Sequence, residues 1–161
     1  MKRFLAIVAC KLLRFAGKLL GRGSSLPGQF ALKVCPDVLG RVKLPPHIIA
    51  VTGSNGKTST VEMIAAILAA DGRQVVYNKE GSNQIEGVAT LILSHCTLGG
   101  KMKGDVLLLE SDERYARYTF RWFHPTHFVI TNLYRDQLTR NGHPQWVYES
   151  ILPAIHPDET L

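Results

Sequence analysis

The sequence has few cysteines and no long apolar run. Only three of its 161 residues are cysteines, Cys10, Cys35 and Cys96, and they are far apart with no CxxC pair. A disulfide framework or a cysteine zinc site is therefore not predicted, and we expect three free thiols. No run of 18 or more apolar residues occurs, which argues against a membrane-spanning helix. What remains is 45% hydrophobic and 20% charged residues, the composition of one globular domain.

Acidic residues are scarce in the first part of the chain. Residues 1–46 contain nine basic residues and one acidic residue, a net charge of +8, whereas the whole chain carries +6 and the other 115 residues carry −2. A basic arm on a near-neutral body indicates contact with an anionic surface. Nucleic acid is one such surface, but no aromatic interleaving supports it, so we expect no nucleic-acid partner.

The first 22 residues predict a basic amphipathic helix. Apolar residues recur every three or four positions, namely Leu5, Val8, Leu12, Phe15 and Leu19. Basic residues recur at the same spacing on another face, namely Lys11, Arg14, Lys18 and Arg22. Two interpretations stay open: the helix lies on an anionic membrane surface through residues 1–22, or it packs on the rest of the fold with a solvated basic face.

The first ten residues, MKRFLAIVAC, resemble the start of a signal peptide. The apolar core, residues 4–10, is short, however, and no convincing cleavage site follows it. We therefore expect a cytoplasmic protein, with peripheral contact at the inner face of the membrane under the first of the two interpretations.

The chain divides at residue 46. A breaker cluster, residues 21–28, and a stretch of irregular structure or short turns complete a helical leader, residues 1–46. From residue 47, short apolar runs alternate with helical patterns, with strands predicted at 47–52, 74–78, 105–110 and 127–132 and helices from 57 and 85. This alternation predicts an α/β domain, residues 47–161, with a parallel sheet and flanking helices.

The stretch VTGSNGKTST, residues 51–60, lies between a predicted strand and a predicted helix. Gly53 and Gly56 let the backbone curl around phosphate oxygens, and the helix N-terminus offers N–H groups and a positive dipole end. Lys57 can reach the β- and γ-phosphates, and Thr58 can place its hydroxyl on Mg²⁺. The general P-loop pattern is not met, because two residues rather than four separate the glycines. The predicted nucleotide-binding residues are Gly53, Ser54, Asn55, Gly56, Lys57, Thr58 and Ser59.

A carboxylate follows the third predicted strand. In LLLESDERY, Glu110 ends a buried strand, where open α/β sheets bind their ligands, and it can hold Mg²⁺ beside a nucleotide. The alternative is a solvated loop carboxylate, or one paired with Arg114 or Arg117. For Asp112 and Glu113 neither interpretation is favoured.

These motifs resemble those of the Mur ligase family. TGSNGKTST is similar to the ATP-binding loop TGTNGKT[ST] of these enzymes, which folylpolyglutamate synthases share. VITNLYRDQLTRNG resembles their closing motif, with Asn132, Asp136 and Arg140 in place and Gln137 at the position of a metal-binding histidine. RDQL with ESDE, and the leader with its GRG and LPG letters, is similar to the MurT-like subfamily. EGSNQIEGVATLI also resembles a segment of that subfamily, in which Asn83 contacts substrate or nucleotide unless it is only a turn residue.

The resemblance implies a P-loop fold of the Mur ligase central-domain type, with ATP and Mg²⁺ as cofactors. It implies that the α-carboxylate of D-Glu in lipid II is activated as an acyl phosphate, and that ammonia from a GatD-like glutaminase subunit converts it to D-isoglutamine. In that scheme Lys57 and the loop amides neutralise charge on the γ-phosphate, with Lys57 and Glu110 as catalytic residues. Thr58 and Glu110 hold Mg²⁺, and Gln137 would be a weak second metal ligand.

MurT-like proteins are longer than this sequence. They carry a cysteine-rich zinc ribbon and a C-terminal domain with further catalytic and partner-binding residues, and neither is present here. We therefore expect an N-terminal portion that binds nucleotide without turnover, and expect zinc only in the further part. The alternatives are a non-catalytic nucleotide-binding or interaction module, and another ligase of the Mur and folylpolyglutamate type.

Overall fold

The computed structural model describes residues 1–19, 25–78, 84–113, 115–133 and 144–155. The leader contains helices α1 (Lys2–Leu19) and α2 (Leu26–Val34) and a 3-10 turn (Val38–Arg41). The rest alternates strands and helices in the order β1 (His47–Thr52), α3 (Lys57–Ala70), β2 (Val75–Tyr77), α4 (Ile85–His95), β3 (Val106–Glu110), α5 (Ala116–Thr119), β4 (His127–Ile130), α6 (Pro144–Ile151) and a second 3-10 turn (Leu152–Ala154).

The four strands form one parallel sheet in the order β2-β3-β1-β4. Val51 pairs with Glu110 of β3, and Thr52 pairs with Ile130 of β4. The predicted α/β class with a parallel sheet and flanking helices is confirmed. Because the strands are parallel, the carboxyl ends of β1, β3 and β4 meet at one edge of the sheet.

The two faces of the sheet have separate hydrophobic cores, since successive strand residues point to opposite sides. On one face α3 packs through Val61 and Ala65 against Val51 and Leu108. The other face, which includes Ile48, Ala50, Leu107 and Leu109, shares a larger core with α1, α2, α4 and α5. Residues of both leader helices are thus buried in the same core as the strands. The boundary at residue 46 stays a prediction.

Helix α1 packs in an orientation that the sequence did not predict. Its buried residues are small or of medium size, namely Ala6, Ile7 and Cys10. The Lys11 ammonium donates to the carbonyl oxygen of Ser94 at 2.7 Å, and the Arg14 guanidinium donates to the Ser94 hydroxyl. Ser94 lies in the last turn of α4, where the negative end of the helix dipole attracts cations. A solvated basic face is therefore wrong for Lys11 and Arg14, although Lys18 is exposed.

Helix α2 begins inside the stretch that was predicted to be a breaker cluster. Proline is tolerated in the first turn of a helix, so Pro27 does not prevent it. Gly28 serves a close approach rather than a turn, because a Cβ there would lie 1.9 Å from the carbonyl oxygen of Glu86 in α4. The Gly28 N–H donates to Thr90 Oγ1 at 2.8 Å across this contact. The glycine is thus needed for the α2–α4 crossing.

All three cysteines are free and buried, as predicted from their spacing. Burial raises the pKa of the Cys10 and Cys96 thiols to about 11. Within the described residues, no helix is both long enough and apolar enough to cross a membrane.

Candidate functional site

The loop between β1 and α3 forms a cradle at the carboxyl edge of the sheet. Gly53 and Gly56 have φ angles of 130° and 81°, in the region that favours glycine. A Cβ on Gly53 would lie 2.3 Å from Thr131 Oγ1, whereas one on Gly56 would meet nothing within 4 Å. Gly53 therefore lets the loop lie against the end of β4, and Gly56 turns the backbone into α3. The N–H groups of the first turn of α3, from Lys57 to Ser59, point out of the helix end toward the loop.

Residues that follow β4 fix the shape of this loop. The Ser54 N–H donates to the Asn132 carbonyl at 3.0 Å, and the Asn55 N–H donates to Asn132 Oδ1 at 3.1 Å. The Asn55 carbonyl accepts from Asn132 Nδ2 at 3.0 Å and from the Thr131 hydroxyl at 2.7 Å. Both backbone groups of Asn55 are thus held by β4. The resemblance marked Asn132 and included Thr131 in the closing motif without giving it a role, because the adjacency of β1 and β4 is not visible in the sequence.

The Lys57 side chain curls back over the cradle. Its ammonium donates to the Gly53 carbonyl and lies 3.5 Å from Glu113 Oε2. The Glu113 side chain is only 4% exposed, so this carboxylate belongs to the site. The sequence left Glu113 open, and its place three residues beyond a strand-ending carboxylate was the only signal.

Thr58, in the first turn of α3, contacts Glu110 at the end of β3. The Thr58 hydroxyl donates to Glu110 Oε2 at 2.8 Å. Asn78, directly after β2, accepts from the Glu110 N–H at 3.3 Å and fixes the end of β3. Glu110 is 9% exposed, which overturns the alternative of a solvated loop carboxylate. The second partner proposed for Glu110, Arg117, instead donates to Tyr118.

The oxygens of Thr58 and Glu110 lie at an ordinary hydrogen-bond distance, which two adjacent ligands of Mg²⁺ could also keep. An octahedral Mg²⁺ with bonds of about 2.1 Å places adjacent oxygens about 2.9 Å apart, and the two oxygens here are 2.8 Å apart. Within the described residues, no group of three or more His, Cys, Asp or Glu side chains is arranged to hold a metal. Mg²⁺ commonly completes its shell with phosphate oxygens and water, so two protein ligands suffice.

The charges around the cradle also favour a divalent cation. Lys57 is accompanied by two buried carboxylates, Glu110 and Glu113. Polyphosphate would add negative charge to a site where carboxylates already outnumber the lysine. A bound cation would offset this repulsion between carboxylates and phosphates. Its attraction to both is stronger in a buried site than in water, because the dielectric constant there is lower.

A pocket of about 350 Å³ opens between α4 and α5, and it is lined by Gln84, Ile85, Glu86, Tyr115, Tyr118, Arg121 and Trp122. The N-terminus of α4 and the start of α5 both follow carboxyl ends of strands, so this pocket lies at the same edge as the cradle. Tyr115 is two residues beyond Glu113. The pocket and the cradle therefore share an edge of the sheet, although no cradle residue lines the pocket.

The structure brings the seven predicted loop residues and Glu110 together and adds Glu113, Thr131 and Asn132 to them. The predicted positions Asn83 and Gln137, with Asp136 and Arg140 of the closing motif, lie outside the described residues.

Comparison with known proteins gives one family and a consistent set of relatives. The family model for the Mur ligase middle domain matches residues 51–149. The chain is 37% identical over 155 residues to the "Lipid II isoglutaminyl synthase (glutamine-hydrolyzing) subunit MurT" of Streptococcus pneumoniae R6, covering 96% of this chain and 34% of that protein. It is 33% identical over 157 residues to the same subunit of Staphylococcus aureus N315, covering 96% and 35%. The chain thus spans about a third of the length of these relatives.

Solved structures show the same fold. MurF from Acinetobacter baumannii superposes with a TM-score of 0.60 at 23% identity, covering 80% of this chain and 28% of that one. The MurF ligase from Thermotoga maritima in complex with ADP gives a TM-score of 0.58 at 21% identity, covering 80% and 29%. At this level of identity the likeness concerns the fold.

Proposed function

The chain belongs to the Mur ligase family, and we propose that it forms the nucleotide-binding part of an ATP-dependent carbon–nitrogen ligase of peptidoglycan synthesis. The observation that carries this proposal is the convergence of three groups on one glycine loop. The Lys57 ammonium lies over the Gly53 carbonyl, and the oxygens of Thr58 and Glu110 lie 2.8 Å apart beside it. A cation, a metal-ligand pair and a helix N-terminus at one cradle suit a polyphosphate with its Mg²⁺.

Different residues of the cradle would bind the phosphates and the metal ion. The backbone amides of the first turn of α3, from Lys57 to Ser59, would donate to the phosphates, while Asn132 holds those of Ser54 and Asn55 in the loop. Lys57 would exchange its bond to the Gly53 carbonyl for phosphate oxygens. Thr58 and Glu110 would hold Mg²⁺, which supplies charge neutralisation when bound. Glu113, which holds the Lys57 ammonium in the free cradle, would give it up to the phosphates. Most of the rate enhancement in phosphoryl transfer comes from such positioning and electrostatics.

The substrate is proposed from the relatives and from general chemistry. The D-Glu α-carboxylate of lipid II would attack the γ-phosphorus, ADP would leave, and an acyl phosphate would form. Ammonia would then attack the carbonyl carbon and lose a proton, and inorganic phosphate would leave, giving D-isoglutamine. The names of the relatives, which describe a glutamine-hydrolysing synthase subunit, support a GatD-like glutaminase as the source of the ammonia.

The pocket between α4 and α5 is the place we assign to the acceptor. Tyr115, Tyr118 and Trp122 offer faces for apolar or sugar groups, and Arg121 offers a cation for a carboxylate. Its position beside Glu113 would bring an acceptor close to the phosphates held by Lys57.

We expect these 161 residues to bind nucleotide without turnover, because the relatives carry about two thirds of their length beyond the matched region. An ATPase or amidation assay on the chain checks this, and measurable turnover would contradict it. The gene sequence downstream separates the ligase from a non-catalytic module. A cysteine-rich segment in frame, beside a glutaminase gene, supports the ligase.

The metal site is tested by titrating the chain with ATP in the presence and absence of Mg²⁺, alongside a Thr58→Val variant. We expect Mg²⁺ to raise the affinity of the unmodified chain about tenfold or more, and to have little effect on the variant, which keeps the shape of the side chain but loses the hydroxyl. Equal Mg²⁺ dependence in both proteins would remove Thr58 from the proposal.

A further inference from the structure

Helix α1 carries an apolar face that the fold leaves uncovered. Phe4, Leu5, Leu12 and Phe15 are 47%, 51%, 64% and 67% exposed. At 100° per residue these four side chains fall within an arc of about 100°. The buried residues of the helix, Ala6, Ile7 and Cys10, lie on the opposite arc. We call Phe4, Leu5, Leu12 and Phe15 the outer face of α1.

Helix α2 contributes to the same kind of surface. Leu26 and Phe30 stand four residues apart, and therefore on one side of α2, and both are exposed. Contiguous apolar patches are uncommon on soluble proteins and mark interaction sites. The outer face of α1 is therefore a candidate interaction site, and Leu26 and Phe30 add two exposed apolar side chains on the helix that packs beside it.

The positive charge of α1 and α2 indicates what kind of partner binds there. No acidic residue occurs in residues 1–36, and Lys2, Lys18 and Lys33 are exposed on these two helices. A second copy of the chain would bring the same positive charge to the contact and be repelled. An anionic surface into which apolar groups can sink meets both the charge and the apolar side chains.

We propose that the outer face of α1, with Leu26 and Phe30 of α2, docks on an anionic lipid surface. The helix lies in the plane of the surface, with its aromatic and leucine side chains at the boundary between headgroups and acyl chains. The exposed lysines reach the lipid phosphates at its flanks. No described helix crosses a membrane, so this contact is peripheral.

The fold sets the direction in which the docked protein faces. The side chains of α1 contact the C-terminal half of α4, through Cys10 to Thr90 and through Lys11 and Arg14 to Ser94. Because α4 runs opposite to the parallel strands, this half lies toward the amino edge of the sheet. The cradle lies at the carboxyl edge, so it stays open to solution while the leader is docked.

The proposal goes beyond nucleotide binding, and it is tested separately by co-sedimentation with vesicles. The chain is mixed with vesicles of phosphatidylcholine alone or with about a third phosphatidylglycerol. We expect binding to the anionic vesicles that weakens with salt, and a loss of about tenfold or more in a Leu12→Glu, Phe15→Glu variant. ATP affinity is expected to be the same with and without vesicles.

A matched control is available on the other face of the sheet. Met63 and Ile67 of α3 are 59% and 69% exposed and stand on one side of their helix. A Met63→Glu, Ile67→Glu variant is expected to bind anionic vesicles as the unmodified chain does. Circular dichroism of both double variants shows whether each one folds.

Three outcomes would overturn the proposal. The first is no binding to anionic vesicles by the unmodified chain. The second is equal loss in the α1 and α3 variants when both are folded. The third is a dimer in sedimentation equilibrium that the α1 substitutions dissociate without any lipid, which would make a second copy the occupant.

Discussion

The cradle and the leader depart from the usual distribution of polar and apolar residues in opposite ways. At the carboxyl edge of the sheet, polar side chains are buried, namely Thr52, Ser54, Glu110, Ser111 and Glu113. On the leader helices, large apolar side chains are exposed. Buried polar groups and exposed apolar patches are the informative exceptions in a folded protein.

The difference shows two ways in which a fold prepares a contact. In the cradle, each buried polar group is held by another until a ligand replaces one partner, as Glu113 does for Lys57. In α1, Ala6, Ile7 and Cys10 pack on the fold, while the larger Phe4 and Phe15 stay exposed. Both departures are the basis of the two binding proposals made above.

Gly28→Ala should have the largest effect, and it acts where the leader packs on α4. The new Cβ would lie 1.9 Å from the Glu86 carbonyl and 2.6 Å from Thr90 Oγ1, so α2 must move away from α4. We expect a loss of about 3 kcal/mol, or roughly 6–12 °C in Tm. The control is Gly99→Ala, where the nearest atom is 3.7 Å away. Thermal unfolding of the two variants at the same Tm would show that the crossing does not need glycine.

Gly53→Ala should act on the cradle rather than on the leader. Its φ of 130° is unfavourable for alanine, and the Cβ would lie 2.3 Å from Thr131 Oγ1. We expect the loop to separate from β4 and ATP affinity to fall about tenfold. Binding to anionic vesicles should stay unchanged, and a parallel loss there would mean that the two regions are coupled.

Glu113→Gln gives a smaller effect with the opposite sign. This carboxylate competes with phosphate for the Lys57 ammonium and adds negative charge to the cradle. Its neutral isostere should therefore raise ATP affinity roughly two- to fivefold, a change of about 0.5–1 kcal/mol. Calorimetric titration measures the change. A decrease in affinity would instead indicate that Glu113 holds Lys57, or the metal, in the bound state.

The smallest effect concerns acid stability where α1 meets α4. Burial holds the pKa of His95 below its ordinary value of 6.5, and the charges of Arg14, Lys11 and Lys18 lower it further. Protonation thus favours the unfolded chain. The stability contributed by a neutral His95 is fully present above pH 6.5 and is lost as the pH falls toward the lower, folded-state pKa.

In His95→Gln, Tm should fall less between pH 7 and pH 5 than in the unmodified chain. The same slope in both proteins would assign the acid sensitivity to other groups.

The part of the fold that local pattern encodes could be predicted from the sequence. Strand β1 was predicted at 47–52 and is observed there, because a buried strand of a parallel sheet is a short apolar run. The start of α3 at Lys57 and the end of β3 at Glu110 were likewise predicted, because Gly56 precedes the helix and a carboxylate ends the apolar run of the strand.

The rest depends on contacts between distant residues. Helix α2 was missed because Pro27 and Gly28 resemble breakers. Gly28 is instead required by the close approach of α4, where Thr90, 62 positions away, accepts its N–H. The inward direction of Lys11 is set by Ser94, 83 positions away. Thr131 and Asn132 act on the cradle only because β4 lies beside β1.

Our claim that residues 53–59 bind the phosphates of a nucleotide is tested by calorimetric titration of the chain and of a Lys57→Ala variant with Mg-ATP. We expect saturable binding to the unmodified chain and an affinity at least about tenfold lower in the variant, the loss of one charge-assisted contact. A folded chain that takes up no Mg-ATP, or a variant that binds as well as the unmodified chain, would contradict the claim.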